Sequence, residues 1–536
     1  MKKICFVVAA LLFVFAPVGA WAQQEVEVVT GTLNVIWKDP ITDPDGKPGV
    51  LYKVLDSRGE RHNLFPVADI HGQMHGLKGM RVAAYGARDV ARREFRANKV
   101  FALEATNGAI KDSLSVAWLM CQFGDDPGMP HSSEHYAKLI GVEYPGVSHF
   151  WERVSNGRVS FEGSVVRGPF RIGARASYTS SSDSQGDFGR IAEDCARAAD
   201  REVYFRDFDG IGLFLSNELD GNSYGGVISL NVDGAIRTYG VAWIPASGAQ
   251  QFVVAHELGH ALFGFGHSVD ATGKVNSWWD VMSWGFFSFP DGQPWSEFGA
   301  IGVGPIAFHK LRSGWIPSAQ KYIPKAGSVQ TIRMEHLASN SGSGYLVAQI
   351  PVSNIVSYTV EVRRQKDGYD RGVPGDAVVI HKIDGNSEPM VVDPDGNDLS
   401  AMWLQGETFI ITENKVRISV ESADADGSMI MINASDTIPT VRVISPKEGD
   451  KWKVGSFKSI MWSETKTVRI EVSRDGGVSW QYVGEGRPSG LSEHGIYRWR
   501  VSEPPSEHAM IRVSSGIDAA VSAQFRIIPK KRRQGR

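Results

Sequence analysis

The stretch HELGHALFGFGHSVD, residues 256 to 270, constrains this chain more than any other part of its sequence. His256 and His260 are four residues apart, so on an α-helix they lie on one face and both imidazoles can bind one ion. Glu257 follows the first histidine, where its carboxylate can reach a water on that ion and act as a general base. The stretch therefore predicts a helix that carries a catalytic metal site.

The residues around this helix predict where it begins and ends. Ser247 and Gln250 form a capping box ahead of an apolar run, which is typical of a helix start. His267 lies eleven residues after the first histidine, and a continuous helix would carry it about 16 Å away. Gly264 and Gly266 tolerate left-handed backbone, so we expect the chain to turn back at these glycines.

HELGH, GFGH and DVMSWG together resemble the elongated zinc motif and the Met-turn of the metzincin zinc peptidases. In that family a glycine follows the second histidine by three residues, and the third histidine follows that glycine by three. Here Phe263 holds the glycine's place, while Gly264 keeps the step to the last histidine. The resemblance implies that Met282 packs beneath the metal and does not bind it. It also implies three zinc ligands: His256, His260 and His267.

One residue is therefore inserted before the turn, and two outcomes are open for the third ligand. A lengthened helix would rotate all that follows by about 100°. That rotation would favour Asp270, because carboxylates also bind zinc and related secreted peptidases use an aspartate after this helix. A local π-bulge would instead absorb the residue and keep His267 in place. We predict His267, with Asp270 as the alternative, and Zn²⁺ as the metal that imidazoles around an open position favour.

Further segments resemble a narrower group, the secreted bacterial metallopeptidases related to immune inhibitor A and the gametolysin-like peptidases. They are YPGVSHFWERVSNGRVSFEGSVVRGPF, AFHKLRSGWIP and YTVEVRRQKDGYDRGVPGDAVVIHKID, and the match runs from about residue 112 to 385. The resemblance implies a zinc-dependent endopeptidase that hydrolyses peptide bonds of extracellular proteins, with Glu257 as general base. The partner it implies is a protein or peptide substrate.

Strand and helix patterns divide the chain into several units. Alternating apolar and polar positions, broken by Pro and Gly, predict strands before and after a mixed segment. We predict a multidomain fold: an α/β (α+β) metzincin-like zinc peptidase domain flanked by an N-terminal β domain and C-terminal β-sandwich domains. The predicted units are a signal peptide at 1–22, an N-terminal β domain (propeptide or accessory) at 23–108, the zinc metallopeptidase domain at 109–317, a β-rich domain at 318–437, an immunoglobulin-like β-sandwich at 438–529 and a basic tail at 530–536.

The N-terminal β domain shows no recognisable catalytic cluster. It also contains no cysteine that would place a thiolate on zinc. If this segment is an inhibitory propeptide, it must therefore use another contact.

The first residues, MKKICFVVAALLFVFAPVGAWA, have the form of a secretory signal peptide. Lys2 and Lys3 precede an apolar run, and Ala20 and Ala22 form a cleavage pattern. The apolar run is shorter than the ~20 residues that span a bilayer. We expect a secreted protein, extracellular or alternatively periplasmic, cleaved near Ala22 and without stable membrane insertion. The net charge of −3 and the pI near 6.6 argue against nucleic acid as a partner.

The state of the cysteines stays open at the level of sequence. Cys121 and Cys195 would remain after cleavage, either as a disulfide or as two buried thiols.

A non-catalytic adhesion or binding protein on a decayed peptidase scaffold is the alternative function, suggested by the inserted residue and the immunoglobulin-like unit. The retained Glu257, which a pure binder does not need, argues for the enzyme. The substrate and the oligomeric state cannot be read from the sequence.

Overall fold

The structure is a computed structural model, and it describes most of the chain. The described residues are 27–41, 47–67, 70–89, 94–103, 113–178, 187–283, 295–339, 342–353, 355–365, 368–385, 388–394, 401–435, 441–463, 467–486, 495–516 and 518–530. The predicted signal peptide and all of the basic tail except Lys530 lie outside these residues. Among the helices that the structure describes, none is long and apolar enough to cross a membrane.

The first unit is a small barrel, called here the N-terminal barrel. Its elements are β1 (Glu27–Pro40), β2 (Gly49–Leu55), β3 (Arg61–Pro66), α1 (His71–Gly76), β4 (Arg81–Asp89) and β5 (Glu94–Ala102). The strands follow the order β2-β3-β5-β4-β1, and β1 also pairs with β2, so the sheet closes on itself. Leu33, Val35 and Trp37 are among the alternate residues of β1 that fill the interior. This five-stranded closed arrangement is similar to the OB-fold.

The second unit, called here the central unit, is built around five strands. Its elements are β6 (Val116–Gln122), α2 (Ser133–Leu139), α3 (Val147–Val154), β7 (Val165–Arg171), α4 (Phe188–Ala199), β8 (Gly210–Leu215), β9 (Asn222–Val232), β10 (Ala235–Ile244), α5 (Gln251–Leu258), β11 (Trp295–Ser296), β12 (Gly299–Ala300) and α6 (Ala307–Arg312). The order is β9-β10-β8-β6-β7. β10, β8, β6 and β7 run parallel, and β9 lies antiparallel to β10.

Helices cover both faces of this sheet, which explains why its inner strands are continuous apolar runs. Along β6, Ala117 and Leu119 belong to the core beneath α4. Trp118 and Met120 belong to the opposite core, with residues of α3 and α5. The central unit is therefore a three-layer α/β/α arrangement, with α5 packed on the face that contains Trp118.

The N-terminal barrel and the central unit share one sheet. The end of β1, residues 35–40, pairs antiparallel with residues 222–227 of β9. Ten strands are thereby hydrogen-bonded in a single path. The boundary predicted near residue 108 therefore separates two chain segments but does not separate two independent sheets.

Two sandwiches follow. The downstream sandwich contains β13 (Lys321–Tyr322), β14 (Val329–Glu335), β15 (Val347–Pro351), β16 (Val356–Arg363), β17 (Ala377–Asp384), β18 (Met390–Val391), β19 (Thr408–Ile411), β20 (Val416–Asp424) and β21 (Gly427–Asn433). Its sheets are β13-β15-β16-β17-β18 and β14-β21-β20-β19, which enclose one apolar core between them. The other face of β17 packs on the central unit, since Ala377 and Val379 belong to the core around α5.

The C-terminal sandwich has the same two-sheet design. It contains β22 (Val443–Ser445), β23 (Lys451–Lys453), β24 (Phe457–Trp462), β25 (Val468–Ser473), β26 (Gln481–Gly486), β27 (Gly495–Arg500), β28 (Ser506–Ser515), β29 (Asp518–Val521) and β30 (Phe525–Ile528). The sheets are β22-β24-β27 and β23-β30-β28-β25-β26, with β29 paired to β28. Trp462, Ile470 and Ile511 lie in the core between them. The chain is thus multidomain and rich in β-sandwich structure.

Of the two states left open for the cysteines, the structure has the disulfide. Cys121 on β6 and Cys195 on α4 are joined across a sequence separation of 74. Both residues are buried in the core beneath α4. The bond ties the sheet to the helix layer on the face opposite α5.

Replacing both cysteines by alanine is expected to lower the free energy of unfolding by about 2–5 kcal/mol, because the unfolded chain loses a long cross-link. Urea unfolding of the variant and the parent without reductant measures the difference. Parent protein treated with reductant serves as the control and should approach the variant. An unchanged midpoint would show that the cross-link does not stabilise the fold.

Candidate metal centre

α5 carries the first two histidines of the motif in a fully buried setting. Every residue of Gln251–Leu258 is buried, because the helix lies between the central sheet and the downstream sandwich. The predicted capping box does not form. Residues 246–248 make a 3₁₀ turn, which removes Ser247 from the cap position. The side chain of Gln250 donates instead to the Ser247 carbonyl oxygen at 3.0 Å.

The inserted residue is absorbed by a π-helical turn. α5 continues directly into a π-helix over Gly259–Phe263, which holds one more residue per turn than an α-helix. Gly264 then adopts a left-handed conformation with φ of 60°, which is strained for residues with a side chain. The backbone N–H of Phe265 donates to Gly259 O at 3.0 Å. The chain therefore turns back at Gly264 and returns His267 to the site.

Three histidines and one aspartate converge at the end of this turn. Ligand atoms of the four residues lie within 4.8 Å of one another. The Nε2 atoms of His256 and His260 are 3.1 Å apart. The Nε2 atom of His267 lies 2.7 Å from Asp39 Oδ1. All four side chains are at most 2% exposed.

This donor set fits a tetrahedral zinc ion. Zinc binds imidazole nitrogen at about 2.0–2.1 Å, which places neighbouring tetrahedral ligand atoms about 3.3 Å apart. Asp39 Oδ2 lies 3.3 Å from His260 Nε2 and 3.5 Å from His256 Nε2, close to that spacing. His267 Nε2 lies closer to Asp39, at 2.7 Å from Oδ1. The four side chains therefore form a candidate site for a small divalent metal ion, and their donor set is compatible with zinc.

The structure brings His267, the predicted third ligand, into the cluster, and it does not bring Asp270, the alternative, there. The Asp270 Oδ1 atom accepts hydrogen bonds from the backbone N–H groups of Thr272 at 2.8 Å and Lys274 at 3.0 Å. It also accepts one from the Thr272 hydroxyl at 2.7 Å. Because the π-turn preserves the position of His267, Asp270 is left to stabilise its own turn.

Peptide carbonyls orient the first two histidines. His256 Nδ1 donates to Val281 O at 2.7 Å, and His260 Nδ1 donates to Phe265 O at 2.6 Å. Each bond leaves Nε2 as the metal-binding nitrogen. Met282 is buried and packs against Gly259, where a Cβ would collide with its sulfur. Met282 therefore lies beneath the motif as a packing residue, not as a ligand.

The fourth member of the cluster, Asp39, comes from the end of β1. Trp37, two residues earlier, stacks on the His260 ring with centroids 4.8 Å apart and planes 6° from parallel. Burial favours the neutral Asp39 carboxyl, but the charges of His267 and His256 outweigh it and hold the Asp39 pKa well below its usual range. Asp39 is therefore a buried carboxylate held among imidazoles.

The imidazoles respond differently to the same environment. Burial lowers the pKa of His260 to about 3, so this ring is neutral, as a metal ligand must be. Burial also acts against protonation of His267, but the Asp39 and Glu388 carboxylates raise the His267 pKa well above its ordinary value. His267 and Asp39 therefore form a buried ion pair.

Glu257 lies beside the cluster and contacts β9, the outermost strand of the central unit, which β1 covers. Its carboxyl accepts a hydrogen bond from the Ser223 hydroxyl, and both side chains are completely buried. A Cβ at Gly225 would collide with the backbone and carboxyl of Glu257, so the bare glycine allows the close approach of β9. Burial, followed by the Asp39 charge, raises the Glu257 pKa well above its usual range. Glu257 is therefore a fully buried carboxyl beside the cluster whose protonated form is favoured by its surroundings.

Sequence reasoning missed three residues of this site. Asp39 lies in a segment without any recognisable catalytic motif, and its only signal is its place at the end of an alternating strand. Ser223 lies on a β-strand and Glu388 in the downstream sandwich, and neither has a motif of its own. All three reach the site through tertiary contacts.

Comparisons with known proteins add little to this geometry. No family model matches the chain. No curated protein matches it either. Among solved structures, it is similar to the fibronectin(III)-like modules of Clostridium thermocellum CbhA, with 17% identity over 17% of this chain and 100% of that one, at a TM-score of 0.13. This likeness is too slight to support a functional argument.

His267→Ala and Asp270→Ala are expected to separate the two candidate ligands. Loss of a residue that only hydrogen-bonds to a metal ligand weakens metal binding by up to roughly 100-fold. Loss of His267, a direct ligand in this proposal, should weaken zinc binding by more than that. Loss of Asp270 should leave zinc affinity within about threefold of the parent, because its carboxylate serves only its turn. Competition with a chromophoric chelator measures both. The reverse ranking would return the third-ligand role to Asp270.

Proposed function

We propose that this chain is a secreted zinc-dependent endopeptidase with a metzincin-like catalytic domain, held latent by its N-terminal barrel. The observation that carries the proposal is the convergence of three imidazole Nε2 atoms beside a fully buried Glu257. The zinc motif and Met-turn pattern in the sequence support the same reaction class. The Cys121–Cys195 disulfide is in keeping with an oxidising, extracytoplasmic compartment.

Each residue of the site has a separate role in the proposed hydrolysis. When bound, zinc supplies Lewis-acid polarisation of a carbonyl and lowers the pKa of a coordinated water toward about 7. Glu257 accepts the proton of the attacking water and delivers it to the leaving amine. The Ser223 hydroxyl holds the Glu257 carboxyl in place during both transfers. Carbonyl oxygens of Val281 and Phe265 keep the first two imidazoles in the tautomer that binds metal.

β9, the outermost strand of the central unit, would be an edge strand suited to bind an extended peptide if β1 were displaced. Residues 222–227 of β9 lie beside Glu257 and are paired by β1 in an antiparallel ladder. An edge strand of this kind binds extended chains through main-chain hydrogen bonds. Once β1 is displaced, the same backbone groups would be available to a protein substrate.

Three contacts of the N-terminal barrel support latency. Asp39 takes the fourth ligand position, which a catalytic site must keep for water. Trp37 covers the His260 ring. Lys78 donates to Phe263 O at 3.5 Å, at the end of the π-turn. The propeptide role is thus preferred to the accessory role, and the inhibitory contact is a carboxylate.

A second candidate function rests on the same aspartate. Four protein ligands are typical of structural zinc sites, so a binding protein stabilised by metal would also use Asp39. That protein would have no need for the Ser223–Glu257 pair. The next two experiments distinguish the candidates.

Asp39→Ala in the chain of residues 23–536 is expected to raise hydrolysis of casein by about tenfold or more, because a ligand position becomes free for water and the end of β1 loses the ion pair with His267 that holds it over β9. Lys99→Ala is the matched control, since this lysine is exposed on β5 of the same barrel and lies outside the ladder between β1 and β9. This control should stay as latent as the parent. An Asp39→Ala protein that binds zinc but cleaves no faster than the parent would contradict latency through Asp39.

Glu257→Gln, introduced into the Asp39→Ala chain, is expected to reduce casein hydrolysis at least about 100-fold, because proton transfer is lost. Zinc content should not change, since the Glu257 carboxylate lies outside the ligand set. Chelator should abolish cleavage by the Asp39→Ala chain, and added zinc should restore it. Equal cleavage with and without Glu257 would exclude the proposed mechanism, and zinc binding with no cleavage by either chain would favour the structural-zinc alternative.

A further inference from the structure

The loop that carries the third histidine is held by the downstream sandwich. Val269, two residues after His267, donates its N–H to Pro389 O at 2.8 Å and accepts from the Val391 N–H at 3.0 Å. These bonds form a parallel bridge between Val269 and Met390. Because the π-turn has already released the loop from helical geometry, this bridge fixes where the loop runs.

The same segment supplies a carboxylate to the histidine ring. Glu388 Oε1 lies 3.2 Å from His267 Nδ1. The histidine is 2% exposed and the Glu388 side chain is 32% exposed. His256 and His260 donate Nδ1 to peptide carbonyls of the central unit, whereas His267 donates to a side chain from another unit.

We infer that Glu388 is a positioning residue for the metal centre, acting through His267. A carboxylate on Nδ1 fixes the proton on that nitrogen, orients the ring and makes Nε2 a stronger ligand. The downstream sandwich thereby contributes to the metal centre itself. This inference rests on the proposed metal site, although not on catalytic activity.

Glu388 also faces the N-terminal barrel, which gives it a competing role. Burial and then the Glu388 charge raise the pKa of Tyr52 on β2. In turn His75 of α1, after His267, helps to lower the pKa of Glu388. If the carboxylate served only this contact, its loss would release the barrel and leave metal binding unchanged. Metal affinity therefore distinguishes positioning of His267 from attachment of the barrel.

The test uses the chain of residues 23–536 with Asp39→Ala, so that the barrel ligand does not mask weaker binding. Glu388→Ala is expected to lower zinc affinity by about 10–100-fold in chelator competition. Glu388→Gln keeps an acceptor oxygen without the charge and should lose less than about tenfold. In the cobalt-loaded protein, Glu388→Ala should shift the visible absorption bands, because the third ligand is less well oriented.

Glu421→Ala is the matched control, since this glutamate is exposed on β20 of the same sandwich. It should leave zinc affinity and the cobalt spectrum unchanged. Thermal unfolding of the metal-free proteins tests whether Glu388→Ala remains folded, and if it does not, Glu388→Gln decides by the cobalt spectrum.

A Glu388→Ala protein with zinc affinity within twofold of its parent would overturn the inference, whether or not the parent cleaves casein. A parent that binds zinc and cleaves nothing would count against the peptidase alone. A parent that binds no zinc would overturn both proposals.

Discussion

The structure depends on the burial of charge at one point. Asp39, Glu257 and three imidazoles lie in a region closed to solvent, where an unpaired charge costs several kcal/mol. Each group is therefore matched: Asp39 with His267, Glu257 with the Ser223 hydroxyl, and the imidazole Nδ1 atoms with carbonyl or carboxylate oxygens. This requirement explains why segments far apart in the sequence meet here.

Three units supply these partners, so the candidate metal site depends on how the N-terminal barrel, the central unit and the downstream sandwich pack together. The N-terminal barrel supplies Asp39, and the downstream sandwich supplies Glu388. The sandwich also supports the segment before Met282, since Arg363 of β16 donates to Trp279 O at 2.6 Å and pairs with Asp370. Removing any one unit would leave buried polar atoms of another without a partner.

Local signals in the sequence predicted much of the central site. Histidines four residues apart lie on one helical face in any α-helix, so His256 and His260 could be placed without tertiary information. The glycines after the helix predicted the reversal, and Gly264 does adopt a left-handed conformation. The capping box failed because a 3₁₀ turn takes up Ser247, and a turn of that kind depends on how β10 enters the helix.

The pattern of apolar residues and the spacing of the motif were enough to determine the strand-rich units, and the helix that places His256 and His260 on one face with Glu257 beside them. These features depend on residues a few positions apart, for which backbone geometry is regular. Tertiary structure alone placed His267 and not Asp270 in the cluster, joined Cys121 to Cys195, and brought Asp39 and Glu388 to the candidate metal site. Those outcomes depend on which distant segments pack together. The free energy of that packing is spread over many residues of each hydrophobic core, so a short sequence motif does not predict it.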